Sequence, residues 1–183
     1  MGRTLNNVTI RQETYADFCR IEDVIRLAFK DVVDSDHTEH LLVERLRHSD
    51  AYVPELSLLA EAGGTAIGHI LLSKVKVASD GNVCTVLSVA PLSVLPEFQG
   101  RGVGGMLVGE AHKRALRLGY GAVLLLGHQD YYPRFGYRRA ADFGIKFPFD
   151  APDECCMAME LKPGGLDGVH GTVRYPDAFN IKF

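Results

Sequence analysis

The chain has 183 residues, of which 46% are hydrophobic and 23% charged, and its formal net charge is −3. This length fits one domain that buries roughly 70% of its unfolded surface. The composition is that of an ordinary globular protein, without the basic face of a nucleic-acid-binding protein. No apolar run approaches the length of about 18 residues that a membrane span needs, so we expect no membrane association.

The cysteines indicate neither a disulfide framework nor a metal site. Cys19, Cys84, Cys155 and Cys156 form no CxxC pair and no metal-ligand spacing with a histidine. We therefore expect reduced thiols and no bound metal. Residues 1–6 lack the apolar stretch of a signal peptide, so a cytoplasmic location is predicted.

The first half of the chain predicts two helices followed by an antiparallel meander. Residues 8–11 indicate a short strand, and Thr14 suits the N-cap of a helix that extends to about residue 29. A second amphipathic helix is predicted over residues 39–48. Strands are expected at 56–60, 66–77 and 83–94, because Gly63-Gly64 and residues 79–82 supply hairpin turn chemistry.

The second half predicts a crossover unit. A helix is expected over residues 102–118 and a strand over 122–126, so the strands on either side of the helix should be parallel neighbours. Two further strands are predicted at 144–147 and 155–161, and residues 163–171 are predicted to form a loop. The sequence thus predicts one mixed α/β domain over residues 1–183, with a C-terminal extension at 162–183.

A glycine-rich turn lies between the last meander strand and the crossover helix. It follows Pro96, which ends the strand because proline cannot donate to a ladder, and its glycines stand where the helix begins. The first turn of a helix leaves its N–H groups unpaired and carries partial positive charge, so the turn suits a phosphate anion. A glycine-rich helix start without a ligand would show the same pattern. The turn reads Gln99-Gly100-Arg101-Gly102-Val103-Gly104.

Two common phosphate motifs fit this turn poorly. A Walker A loop is excluded, since no Lys-Ser or Lys-Thr follows the glycines. The dinucleotide pattern G-x-G-x-x-G is matched by Gly100, Gly102 and Gly105. However, hairpin strands precede it, and no acidic residue ends the next strand. A dinucleotide-dependent oxidoreductase therefore stays only as an alternative.

The turn also matches Q/R-x-x-G-x-G/A, which is preceded here by Leu-x-Val-x-Pro at Leu92 to Pro96. Tyr132 to Tyr137 then matches Y-x-x-x-G-F/Y, after one intervening helix and strand. With these motifs, which lie within residues 90–137, the chain resembles the GNAT superfamily of N-acetyltransferases, and within it a bacterial subgroup of predicted acetyltransferases. The resemblance implies a mixed, mostly antiparallel sheet of six to seven strands, helices on both faces, and a fourth and fifth strand that splay apart.

The resemblance also implies an acyl-CoA site in the resulting wedge. The main chain of Leu92 and Val94 would bind the pantetheine arm, and Phe135 would flank it. Arg101 would add a charge-assisted contact, although a solvated turn residue is the alternative. The N–H groups that would hold the diphosphate belong to Gln99, Gly100, Arg101, Gly102, Val103 and Gly104.

The implied reaction is transfer of an acyl group, expected to be acetyl, from acetyl-CoA to a primary amine by direct attack. Tyr132 matches the position of the general acid, with simple packing as the alternative. His128 is the candidate base, and His69, a water chain or no base at all are the alternatives. The acceptor would be a small molecule or a peptide, and a homodimer is compatible with the resemblance. A catalytically silent CoA-binding sensor or subunit is the alternative function.

Overall fold

The computed structural model describes residues 7–181. Within this range nine strands form one sheet, which is accompanied by three α-helices. The prediction about a signal peptide concerns residues 1–6, which lie outside the described range. The helices are α1 (Phe18–Phe29), α2 (Glu39–Arg47) and α3 (Val103–Arg117). The strands are β1 (Val8–Gln12), β2 (Ser57–Ala62), β3 (Thr65–Ser79), β4 (Asn82–Val94), β5 (Ala122–Leu126), β6 (Arg138–Arg139), β7 (Ile145–Lys146), β8 (Cys156–Glu160) and β9 (Gly171–Arg174).

The sheet order is β1-β2-β3-β4-β5-β8-β6, with β9 paired to β3 and β7. The strands β1 to β4 pair antiparallel in sequence order, which confirms the predicted meander. α3 then crosses over to β5, which runs parallel to β4. The predicted fold class is confirmed, although the sheet has nine strands instead of the expected six to seven.

Helices cover both faces of the sheet. A Cβ on Gly68 of β3 would lie 3.0 Å from Leu107 Cδ1 and 3.3 Å from Val103 Cγ1, so Gly68 faces α3. The next residue, His69, points to the opposite face because side chains alternate along a strand. There its ring contacts Glu13, which is paired with Arg47 at the end of α2.

That contact belongs to a buried polar cluster. The Glu13 carboxylate accepts hydrogen bonds from the Arg47 guanidinium at 2.9 and 2.7 Å and from the Tyr52 hydroxyl at 2.6 Å. His69 Nε2 lies 3.4 Å from Glu13 and 3.0 Å from the Ser57 hydroxyl. The cluster fastens the segment after β1, the end of α2 and the start of β2 to the middle of β3.

The start of the first helix differs from the prediction. A 3₁₀ helix, Tyr15–Asp17, precedes α1. Its cap is made by the Asp17 carboxylate, which accepts bonds from the Thr14 N–H at 2.8 Å and the Thr14 hydroxyl at 2.9 Å. Thr14 is the N-cap of this short helix and forms a capping box with Asp17, so the predicted cap begins a 3₁₀ turn that precedes α1.

The second helix ends one residue earlier than predicted, at Arg47. Its buried residues are Val43 and Leu46, whereas Leu41 is 40% exposed.

The C-terminal segment folds back onto the sheet. β9, which the sequence does not predict, pairs with β3 at Lys76 to Ala78. Gly171, at the start of β9, contacts the Ala78 carbonyl so closely that no Cβ would fit. Tyr175 then packs against Phe149, with centroids 5.8 Å apart, and against Phe179 at 4.6 Å. The extension thus covers an edge of β3.

The two strands predicted near the C-terminus are present but shorter than expected. The strand predicted at 144–147 shortens to Ile145–Lys146, and the one at 155–161 to Cys156–Glu160. All four cysteines are free thiols. In the part of the chain that the structure describes, no helix combines the length and apolarity that crossing a membrane requires.

Candidate active site

The site begins where β4 and β5 separate. These parallel strands pair at only two positions, Leu87 with Val123 and Ser88 with Leu124. β4 continues to Val94 and stays paired with β3, whereas β5 follows β8 along its whole length. A gap therefore opens between the two strands, which confirms the predicted wedge.

A bulge in β4 accompanies the separation. Leu72 of β3 pairs with Val89 and Ile70 pairs with Leu92, so a single β3 residue faces the Ala90-Pro91 pair. A bulge bends the strand that carries the extra residue, and Pro91 has no N–H to donate to a neighbour. Both features turn the end of β4 away from β5.

The main chain at the end of β4 faces the gap. The Leu95 N–H donates to the Ile67 carbonyl of β3 at 2.9 Å. Because successive residues of a strand direct their main-chain groups to opposite edges, Val94 and Leu92 present theirs away from β3. The Val94 carbonyl accepts a bond from Gln99 Nε2 at 3.0 Å and keeps a second lone pair. The two predicted pantetheine-binding residues thus lie on an open strand edge.

The turn after β4 is shaped by two glycines in the left-handed region. Gly100 has a φ of 69° and Gly102 a φ of 85°, values that residues with a Cβ rarely adopt. A Cβ on either glycine would meet no atom within 4 Å, so conformation and not crowding accounts for them. Since Gly102 directly precedes α3, the unpaired N–H groups of the first helical turn lie here.

The residues around these glycines fix the helix start. Val103 is buried against β3, where Gly68 leaves room for it. Arg101 is exposed, with its guanidinium carbon 5.7 Å from the centroid of the Phe98 ring. Gly104 is buried in the first turn of α3. The open edge of β4 therefore leads directly to a helix start whose first N–H groups have no partner within the helix.

Tyr132 lies at the C-terminal end of β5. Its ring stands over Gly127, the residue after β5, so that a Cβ there would overlap Tyr132 Cε2. The ring packs edge-on against Tyr131, with centroids 5.0 Å apart, and against Tyr137 at 5.7 Å. Burial raises the pKa of Tyr132, and Tyr131 adds to the increase. The phenol is therefore protonated at neutral pH, as a proton donor must be.

Two other rings of this segment reach the start of α3. The Tyr131 hydroxyl lies beside Gly104, where a Cβ would overlap it. Phe135 Cε1 lies 3.5 Å from the Cβ position of Gly105, and its ring packs edge-on against Tyr131, with centroids 5.5 Å apart. The segment with the tyrosine motif thus forms a wall opposite the first turn of α3.

A histidine that the sequence does not single out supports this wall. His112 Nε2 of α3 and the Tyr137 hydroxyl are hydrogen-bonded to each other at 2.9 Å. Burial lowers the pKa of His112 to about 4, so its ring is neutral. Tyr137 is 2% exposed. His112 stands one helical turn after Val108 and just before Ala115 on the apolar face of α3. In the sequence, the only indication of this role is that His112 is a polar residue at a position of the apolar face of α3.

The histidines considered as bases lie in different surroundings. His128 follows Gly127 and is exposed, and its carbonyl accepts the Tyr131 N–H at 3.1 Å. His69 is completely buried in the cluster around Glu13. Across residues 7–181 no three or more His, Cys, Asp or Glu side chains are grouped so as to hold a metal ion.

Comparison with known proteins connects this geometry to a family. The model of the "Acetyltransferase (GNAT) family" matches residues 21–137. The chain is 34% identical to the uncharacterized N-acetyltransferase YjhQ of Escherichia coli strain K12 over 177 residues, which is 95% of each chain. It is 30% identical to the uncharacterized N-acetyltransferase YhbS of the same strain, over 93% of this chain and 98% of that protein.

Solved structures agree with the sequence comparisons. The crystal structure of YhbS from Escherichia coli in complex with CoA has a TM-score of 0.84 at 30% identity, and the match covers 95% of this chain and 92% of that one. A GNAT family acetyltransferase from Brucella melitensis in complex with acetyl-CoA has a TM-score of 0.78 at 32% identity, with 94% and 98% covered. The chain described here belongs to the GNAT family of acetyltransferases.

Proposed function

We propose that the protein is an acyl-CoA-dependent N-acyltransferase that transfers an acetyl group from acetyl-CoA to a primary amine. The observation that carries the proposal is the continuity between two sets of main-chain groups. The open edge of β4 at Leu92 and Val94 ends at the glycine turn and the first turn of α3. The complexes of YhbS with CoA and of the Brucella relative with acetyl-CoA support the same ligand here.

The residues present fit a CoA thioester. The edge of β4 would bind the amides of the pantetheine arm as a neighbouring strand would. The N–H groups from Gln99 to Gly104 would hold the diphosphate at the positive end of the α3 dipole. Gly100 and Gly102, with no atom within 4 Å of their Cβ positions, leave this turn accessible. Phe135 would flank the arm on the other side.

Acetyl-CoA supplies an acyl thioester, and the protein has to accept a thiolate leaving group. Tyr132 would donate its phenol proton to the sulfur as the carbon–sulfur bond breaks and the carbon–nitrogen bond forms. The attacking amine loses a proton, and a proton returns through solvent to the Tyr132 phenolate, so that acetyl-CoA and the amine yield the amide and the free CoA thiol. Main-chain N–H groups near Val94 would donate to the acyl oxygen as it gains charge. His128 is our candidate to take the amine proton, as it is exposed two residues after the end of β5.

The acceptor would be a small molecule or a peptide with a neutral amine. The test combines two measurements on the wild-type protein with a panel of amines. Release of free CoA thiol is followed spectroscopically, and the acceptor is analysed for an added acetyl group by mass spectrometry. We expect amine-dependent thiol release with an acetylated product. Binding of acetyl-CoA by calorimetry without turnover for any amine would instead support a silent CoA-binding module.

A further inference from the structure

The hydroxyl of Tyr131 occupies a defined place beside the helix start. It stands next to Gly104, at the position that a Cβ would take, and the following ring atom, Cζ, lies 3.5 Å from that position. Leu92 Cδ2 is 3.8 Å from the same point. The hydroxyl therefore lies in the space between the first turn of α3 and the end of β4.

The surroundings hold the Tyr131 ring in this orientation. The ring packs edge-on against Phe135 and Tyr132. The Arg134 guanidinium lies over it at 4.4 Å from the centroid, and Arg134 Nε donates to the Tyr131 carbonyl at 2.7 Å. A side chain fixed by three neighbours keeps its hydroxyl in one place, and the missing Cβ of Gly104 makes that place available.

This place is where the two halves of the proposed acyl-CoA site meet. Gly104 belongs to the helix start that would hold the diphosphate, and Leu92 belongs to the strand edge that would hold the pantetheine arm. A CoA molecule bound to both would pass this junction, next to the Tyr131 hydroxyl. A tyrosine suits such a position, because its ring can cover an apolar chain while its hydroxyl donates to a polar group. Burial also raises the pKa of Tyr131, which keeps the hydroxyl protonated.

We propose that Tyr131 is a CoA-binding residue at the junction of α3 and β4, and that Gly104 lacks a side chain in order to admit its hydroxyl. The proposal rests on the acyl-CoA site of the proposed function. It assigns to Tyr131 a role in donor binding that is separate from the proton transfer assigned to Tyr132. Gly104 would then have two functions: its N–H would contribute to the diphosphate site, and its missing side chain would leave room for the Tyr131 hydroxyl.

A double-mutant cycle tests this assignment, with dissociation constants for CoA and acetyl-CoA measured by calorimetry. Tyr131→Phe keeps the ring and removes the hydroxyl, and we expect it to raise both constants about fivefold, the value of one ordinary hydrogen bond. Gly104→Ala places a methyl group on the hydroxyl, and we expect it to raise them by about tenfold or more. Gly109→Ala, in the same helix but with no atom within 4 Å, is the control and should change neither.

The combined variant is decisive. Without the hydroxyl, the nearest atom of residue 131 is Cζ at 3.5 Å, which is ordinary van der Waals contact. Gly104→Ala should therefore weaken binding much less in the Tyr131→Phe background than alone. Effects that simply multiply would mean that the ligand itself requires Gly104, and would overturn the proposal. Unchanged or tighter binding by Tyr131→Phe, which needs no Gly104 variant to fold, would overturn it too.

The cycle is separate from the test of the proposed function. CoA alone is the ligand, so its result does not depend on whether any amine is acetylated. A protein that binds CoA through Tyr131 but acetylates no amine would disprove the proposed function and leave this inference intact. If the wild type acetylates amines while Tyr131→Phe binds CoA normally, the proposed function stands and the role of Tyr131 is disproved.

Discussion

The ring of Tyr132 lies against Gly127 with no room for a Cβ between them. Gly127 directly follows β5, and its N–H donates to the Cys155 carbonyl at 2.9 Å, which ties it to the residue before β8. The position of Tyr132 at the end of the wedge therefore depends on a glycine five residues earlier in the chain, held by main-chain bonding.

Replacing Gly127 by alanine should displace the Tyr132 ring. The methyl group would overlap the Tyr132 ring, and Leu125 Cδ1, 3.2 Å away on another side, leaves it little other space. We therefore expect the Tyr132 ring to move. We expect kcat to fall by about tenfold to a hundredfold, because small misplacements of a catalytic group are costly. The dissociation constant of acetyl-CoA should change far less. Steady-state kinetics and calorimetry on the same preparations measure both quantities.

Gly109→Ala is again the matched control, since its methyl group meets open space on α3. Its kcat should equal that of the wild type. If Gly127→Ala had a normal kcat as well, the position of the Tyr132 ring would not matter for turnover.

Glu13 is expected to stabilise the fold in a pH-dependent manner. Burial alone would raise its pKa, but hydrogen bonds from His69, Arg47 and Tyr52 outweigh burial and hold the pKa well below its unfolded value near 4.5. A carboxylate of this kind stabilises the fold above that value, and the stabilisation is lost as the pH falls below it. Glu13→Gln should therefore cost about 3 kcal/mol at neutral pH, since Arg47 remains buried without its partner.

Urea unfolding curves at several pH values test this expectation. The difference in unfolding free energy between wild type and Glu13→Gln should shrink as the pH falls below about 4.5. Glu22→Gln is the matched control, because the Glu22–Arg26 pair is about half exposed and such pairs contribute only about 0.3–0.5 kcal/mol. A pH-independent difference for Glu13→Gln would contradict the role of its charge.

The C-terminal segment should be part of the folded domain. Val173 is 1% exposed in a cluster with Val77 and Ile145, whereas Thr172 beside it is exposed. Val173→Asp buries a charge among apolar side chains, so we expect a loss of about 3 kcal/mol or more in unfolding free energy. Thr172→Asp, the same change on the other face of β9, should cost less than about 0.5 kcal/mol. Equal effects in thermal or urea unfolding would mean that β9 does not pack as described.

Local chemistry accounts for the parts of the fold that the sequence predicts well. Gly63-Gly64 and the turn at residues 79–82 mark hairpins because their residues accept positive φ at low cost, so β2, β3 and β4 follow with small errors at their ends. β9 escapes prediction because only four residues form it and only Val173 among them is buried. Its pairing depends on the Gly171–Ala78 contact, which joins residues far apart in sequence.

In the candidate site, too, the sequence predicts some features and misses others. The glycine turn is recognisable because Gly100 and Gly102 adopt the left-handed conformation that their residue type favours. The motif singles out Tyr132 in the sequence, but it predicts neither the contact of Tyr132 with Gly127 nor that of Tyr131 with Gly104, because both depend on how the chain folds. His112 could only be suspected from its place on the apolar face of α3.

Replacement of Tyr132 by phenylalanine tests the central claim most directly, with Tyr15→Phe at an 86% exposed position as the control. The substitution keeps the half-buried ring and removes only the proton donor. Measured with an amine that the wild type acetylates, kcat should fall by about 10²-fold or more, while calorimetry gives an unchanged dissociation constant for acetyl-CoA. Turnover equal to that of the wild type and of Tyr15→Phe would contradict the account, because the thiolate would then leave without the proton of Tyr132.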